Sequence, residues 1–123
     1  MKKIEHIGIA VKDLSKSNRL YAKLLGVEHY KIECVKSEGV NTSFFKVDGN
    51  KIELLEATSP DSPIAKFIEK RGEGVHHIAF AVDDIGAEIE RLKTEGFELI
   101  HHKAKPGADG KLIAFLHPKS SGG

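Results

Sequence analysis

The sequence predicts an α+β fold made of two tandem βαβββ modules, the second short of its final strand. Three observations lead there. Residues 4–14 (IEHIGIAVKDL) and 75–85 (VHHIAFAVDDI) match at an offset of 71, with five of eleven positions identical: His6/His77, Ile7/Ile78, Ala10/Ala81, Val11/Val82 and Asp13/Asp84. Each copy passes from period-2 alternation into period-3.6 spacing, then meets a glycine, Gly26 or Gly96. The chain has 123 residues, enough for one domain holding two such modules.

The first strand spans about residues 3–11, with Ile7, Ile9 and Val11 on one face and His6, Gly8 and Ala10 on the other. A helix over about 14–25 carries Leu14, Leu20, Tyr21, Leu24 and Leu25; Asp13 can cap it and Gly26 can end it. Strands follow at about 27–36, 41–48 and 51–57, separated by turn signals at Ser37–Gly39 and Asp48-Gly49-Asn50. Residues 1–57 thus form the first module. Residues 58–74 form a linker with a short helix at about 62–70. Residues 75–123 form the second module, and the whole is expected to make one structural domain. The second module has a strand at 75–82, a helix at 85–95 and strands at 97–102 and 111–117 around a polar loop. The repeat then calls for one more strand, where the chain instead ends in Pro118-Lys119-Ser120-Ser121-Gly122-Gly123.

Nineteen Lys and Arg against eighteen Asp and Glu lend no support to a nucleic-acid binder, which usually shows a strong basic excess. No apolar run approaches the ~20 residues of a membrane span, and the N-terminus lacks a signal-peptide core. The single cysteine, Cys34, cannot form an internal disulfide and has no implied partner for nucleophilic work. A cytoplasmic location is the default expectation.

The histidines His6 and His77 are the leading functional candidates. Each shares its strand face with small residues, Gly8 and Ala10 or Ala79 and Ala81. Such a face suits a cavity with imidazoles in its wall better than a filled core. Burial of two satisfied structural histidines is the alternative; recurrence at equivalent repeat positions favours function. Glu53, inside Lys51-Ile52-Glu53-Leu54-Leu55-Glu56, is the third candidate. It is either a buried carboxylate, costly unless paired or bound to metal, or part of a solvated edge face with Leu55 exposed. Two imidazoles and a carboxylate suit Co2+, Zn2+, Mn2+ or Fe2+. Alternation turns His76 to the other face, as a support for His77 or a surface group. His101 and His102 read as a surface pair, His117 as a local turn residue, and His29 as exposed.

The paired modules with an early histidine in each resemble the vicinal oxygen chelate superfamily, and within it the methylmalonyl-CoA epimerases most closely. The residues that carry this are Ile4-Glu5-His6-Ile7-Gly8-Ile9-Ala10-Val11, Lys51-Ile52-Glu53-Leu54-Leu55-Glu56, Asp61-Ser62-Pro63-Ile64-Ala65-Lys66-Phe67, Gly74-Val75-His76-His77-Ile78 and Phe115-Leu116-His117-Pro118-Lys119-Ser120. They run in order over nearly the whole chain.

The resemblance implies a half-open mixed-sheet cleft around one divalent metal, Co2+ first, with Zn2+, Mn2+ or Ni2+ as alternatives. His6, Glu53 and His77 would be its ligands. It implies epimerisation of methylmalonyl-CoA at C2 by proton abstraction through a metal-stabilised enolate. The partners it implies are an acyl-CoA substrate and a second copy in a homodimer, with no nucleic acid or membrane. Lys103, Lys105 and Lys119 are available for CoA phosphates. Two departures stand out. A fourth family ligand, a Glu on the final strand, has no counterpart here. A third-strand Glu proposed as a base in some relatives falls near Thr42, which cannot act as one near neutral pH. The proton-transfer residues therefore stay unassigned, and the expectation is a shortened chain of weak or no activity. Rival readings within the superfamily are a glyoxalase-type isomerase, an extradiol dioxygenase and a metal-free binding protein.

Overall fold

A computed structural model describes residues 1–123. Strand β1 (Lys3–Ala10) leads to helix α1 (Leu14–Leu25), which starts on an Asp13 side chain accepting from the Lys16 N–H at 3.0 Å and stops at Gly26, φ 75°. Strand β2 (Lys31–Val35), one 3-10 turn, β3 (Val40–Val47) and β4 (Asn50–Ala57) follow. Helix α2 (Pro63–Arg71) is capped by Ser62 and begins with proline, whose missing N–H costs nothing in the first turn. Strand β5 (Gly74–Ala81) closes this part of the chain.

The five strands form one mixed sheet in the order β2-β3-β4-β1-β5. β1 runs parallel to β4 and antiparallel to β5. Helix α1 covers one face, where Val11, Leu14, Phe45 and Leu54 are buried among Ile9, Tyr21, Ala22, Leu25 and Ile52. Phe45 and Leu54 are fully buried, each contributing roughly 1.5–3 kcal/mol of hydrophobic stabilisation. The helix side of the core thus uses the residues that alternation turned away from His6 and Glu53.

Chain contacts divide the protein into two compact units, Lys3–Ala81 and a second made of Met1–Lys2 with Val82–Gly123. The second unit holds helix α3 (Ile85–Thr94), with Ile89 and Leu92 buried. Its Asp84 cap accepts from the Ala87 N–H at 3.0 Å, repeating the Asp13 cap one repeat later. The strands expected at 97–102 and 111–117 do not form as such. The first is reduced to an isolated bridge, Leu99 to Leu116, and the second to β7 (Leu112–Ile113), paired with β6 (Lys105–Pro106). Pro106, Gly107 and Gly110 punctuate this stretch, and a proline or glycine in so short a ladder stops its growth. A short helix α4 (Pro118–Ser121) ends the unit, its first turn capped by the His117 ring. No helix is long and apolar enough to cross a membrane.

Candidate metal centre

The two repeat strands meet about a local pseudo-dyad. Ile7 pairs directly with Ile78, its repeat equivalent, so His6 falls opposite Ala79 and His77 opposite Gly8. The two histidines are therefore diagonal neighbours on one face, within reach of each other's long side chains. Their Nε2 atoms lie 2.9 Å apart, with the rings at 85°.

Gly8 makes this approach possible. A Cβ built there would lie 2.3 Å from His77 Cε1. The small-residue face was expected to frame an open cavity; at Gly8 the His77 ring itself fills the space. Glu53 arrives from the other side, because the parallel register sets it opposite Gly8. One row across the sheet reads Lys31, Phe44, Glu53, Gly8, His77.

Glu53 is 4% exposed and Leu55 5%, so the solvated-edge placement is ruled out. The Glu53 Oε2 lies 3.1 Å from His6 Nδ1. His6 thus faces Glu53 through one ring nitrogen and His77 through the other.

Sequence reasoning missed Glu5. Between Ile4, opposite Phe80, and His6, opposite Ala79, the register slips by one and Glu5 is the extra residue of a bulge. This turns its carboxylate toward His6: Oε1 accepts from Nδ1 at 2.9 Å, while Oε2 pairs with Lys51 Nζ at 3.1 Å. Ligand atoms of Glu5, His6 and Glu53 all lie within 4.8 Å of one another. Burial works to raise the Glu5 pKa, but the hydrogen bonds from His6 and Lys51 outweigh it and hold the group below its ordinary value.

A second slip, between Gly8 and Ile9, makes His76 the extra residue on β5. Alternation had turned it away; the bulge instead brings its Nδ1 to 3.0 Å from His77 Nδ1, with the Phe67 ring 4.9 Å behind. Burial lowers the pKa of His76 against the pull of Glu38. Burial, then the positive charge His6 and His76 would carry, pushes His77 down to about 3. The His77 ring is therefore neutral at physiological pH, the form that can donate a lone pair to a metal.

The remaining candidates lie elsewhere. Thr42 is buried on β3 opposite Leu55, and Cys34 is exposed on β2. His29 is half-buried against Phe45 rather than exposed, because its ring closes the edge of the α1 core. His101 and His102 are exposed, and Lys105 Nζ sits over the Phe115 ring. A cavity of about 870 Å³ adjoins Glu5 and Lys51 and is also lined by Lys3, Lys46 and Tyr30.

Residues 5–115 match the family model of the glyoxalase/bleomycin resistance protein/dioxygenase superfamily. The chain belongs to that superfamily. Among its relatives there, the ethylmalonyl-CoA/methylmalonyl-CoA epimerase of Cereibacter sphaeroides is 39% identical over 98% of this chain and 92% of its own. The human mitochondrial methylmalonyl-CoA epimerase is 38% identical over 98% of this chain and 69% of its own. A solved variant of the Streptomyces coelicolor methylmalonyl-CoA epimerase, in complex with 2-nitronate-propionyl-CoA, superposes with a TM-score of 0.95 at 34% identity. That match covers 99% of this chain and 89% of the other. These superfamily relatives are isomerases, and the mixed sheet described above is the fold they share with this chain.

Proposed function

We propose that this protein epimerises methylmalonyl-CoA at C2, using a divalent ion held by His6, Glu53 and His77. The observation that carries this reading is the meeting of two neutral-capable imidazoles and a buried carboxylate on one sheet face, in a chain whose named relatives are epimerases of this thioester. The donor types fit, since imidazole nitrogens and a buried carboxylate are the N and O ligands that divalent first-row ions take. Glu53 lies at His6 Nδ1 and His77 at His6 Nε2, however, so the Glu53 carboxylate would have to swing away from Nδ1 to share one ion with both rings. A bound ion would supply positive charge to the thioester and carboxylate oxygens as the C2 proton leaves.

The chain's own residues orient and exclude. The row Phe44, Glu53, Gly8, His77 places Glu53 and His77 on one sheet face, on the strands either side of Gly8. Lys46 and Lys51 lie on the same cross-strand row as His6 and line the adjoining cavity. Lys51 is engaged by Glu5, which leaves Lys3 and Lys46 in the cavity lining as the cations that suit an anionic acyl-CoA. The relative's ligand agrees with this chemistry: a 2-nitronate is a planar anion of the kind that loss of the C2 proton creates.

The test is exchange of the C2 hydrogen of methylmalonyl-CoA in D2O, run beside metal analysis of the purified protein. Weak, metal-dependent exchange is expected, because no residue around His6, Glu53 and His77 is assigned as the acceptor of the C2 proton. Metal binding without exchange would remove the epimerase assignment while leaving the metal centre.

A further inference from the structure

Glu5 and His76 form a matched pair that the repeat alone does not require. They are repeat equivalents, 71 residues apart, and each stands immediately before its histidine. Each is the extra residue of a bulge, on β1 and β5 respectively. A bulge interrupts the ladder locally and commonly serves to re-aim a side chain. Here both bulges aim at the same atom type: Glu5 Oε1 reaches His6 Nδ1 at 2.9 Å, and His76 Nδ1 reaches His77 Nδ1 at 3.0 Å. Each supporting group is itself braced from behind, Glu5 by Lys51 and His76 by the Phe67 ring edge.

We propose that Glu5 and His76 are positioning residues that hold His6 and His77 by Nδ1, so that both Nε2 atoms are offered to one divalent ion. This rests on the metal-binding reading above. Without an ion the same distances suit a chain in which His76 Nδ1–H donates to His77 Nδ1, His77 Nε2–H to His6 Nε2 and His6 Nδ1–H to Glu5. When Nδ1–H of His77 donates to His76 instead, both Nε2 lone pairs point into the 2.9 Å gap, which a cation there would stabilise. Two nitrogens each about 2.0–2.1 Å from one ion are at most about 4.2 Å apart, so the observed separation is admissible.

The experiment measures Co2+ binding to the full chain by calorimetry and by visible absorption of the bound ion. The variants are Glu5→Leu, Glu5→Gln, His76→Leu, His76→Asn and His77→Ala. The wild type should bind Co2+ and His77→Ala should lose it. Both leucine variants should weaken binding by roughly 10–100-fold and alter the Co2+ spectrum. Glu5→Gln and His76→Asn, which keep an acceptor oxygen near the same place, should recover most of the affinity and the wild-type spectrum. Leucine variants that bind like the wild type overturn the proposal. So does a Glu5→Gln variant as weak as Glu5→Leu, which would make Glu5 an anionic ligand in its own right. A wild type that binds no Co2+ overturns the metal-binding reading itself, and the proposal with it.

Discussion

Gly8 and His77 face each other across the β1–β5 ladder, and the imidazole occupies the space that any side chain at Gly8 would need. The Cβ of Gly8→Ala would fall 2.3 Å from Cε1, so the ring must move. Overpacking of this kind costs about 1–3 kcal/mol. We expect Gly8→Ala to lower the melting temperature and to weaken Co2+ binding at least tenfold. Thermal melts and metal titrations check this, and unchanged metal affinity would show that His77 is not a ligand in its observed pose.

His77 also makes stability depend on pH. Its folded pKa is about 3, below the ordinary 6.5 expected unfolded. Between those values the unfolded chain binds the extra proton, so stability is fully present above about pH 6.5 and falls as the pH drops toward 3. The slope approaches about 1.4 kcal/mol per pH unit for one such group. Urea unfolding of metal-free protein at pH 7, 5.5 and 4.5 should show this loss, and His77→Leu should flatten it. An equally steep dependence in His77→Leu would assign the effect to other groups.

Removing the Glu53 ligand oxygens should separate folding from function. Glu53→Leu puts an apolar side chain of similar size at a site that is 4% exposed, so the fold should persist by circular dichroism. Metal affinity and C2 hydrogen exchange should both drop at least tenfold, whereas Glu53→Gln, which keeps a carbonyl oxygen there, should lose less. Wild-type metal affinity in Glu53→Leu would exclude Glu53 from the metal centre.

The repeated helix caps offer a control remote from the metal ligands. Asp13 and Asp84 accept from backbone N–H groups at 3.0 Å in equivalent positions. Asp13→Ala and Asp84→Ala should each cost about 0.5–2 kcal/mol by denaturant unfolding. Neither should alter the visible spectrum of bound Co2+.

The repeat made the pairing of His6 with His77 legible, because two equivalent strands that pair antiparallel about their middle residue bring equivalent side chains together. Glu53 was legible from alternation against Ile52 and Leu54, which the core confirms. Glu5 and His76 were not. A period-2 reading assigns each to the face opposite its histidine, and a one-residue bulge leaves no mark in composition or hydrophobic pattern. The strands expected after α3 failed for a different reason. Residues 97–100 do meet the segment 115–117, but only through one bridge, Leu99 to Leu116, and the bonds from Ile100 N–H to Phe115 O and His117 N–H to Glu98 O. Pro118, which has no N–H, opens α4 directly after it.

The two bulges act on the ladder like a pair of compensating frameshifts. Lys3 with Ala81 and Ile4 with Phe80 share one register; His6 with Ala79, Ile7 with Ile78 and Gly8 with His77 are offset by one; Ile9 with Val75 and Ala10 with Gly74 return to the first. The second slip cancels the first, so only three rungs are out of frame, and those three contain both histidines. Deleting Glu5 alone or His76 alone leaves one slip uncorrected and obliges one end of the ladder to change register. Deleting both restores a single frame throughout. The double deletion should therefore fold better than either single one while leaving both histidines without their supports, a rare case in which removing a second residue repairs the architecture but not the chemistry.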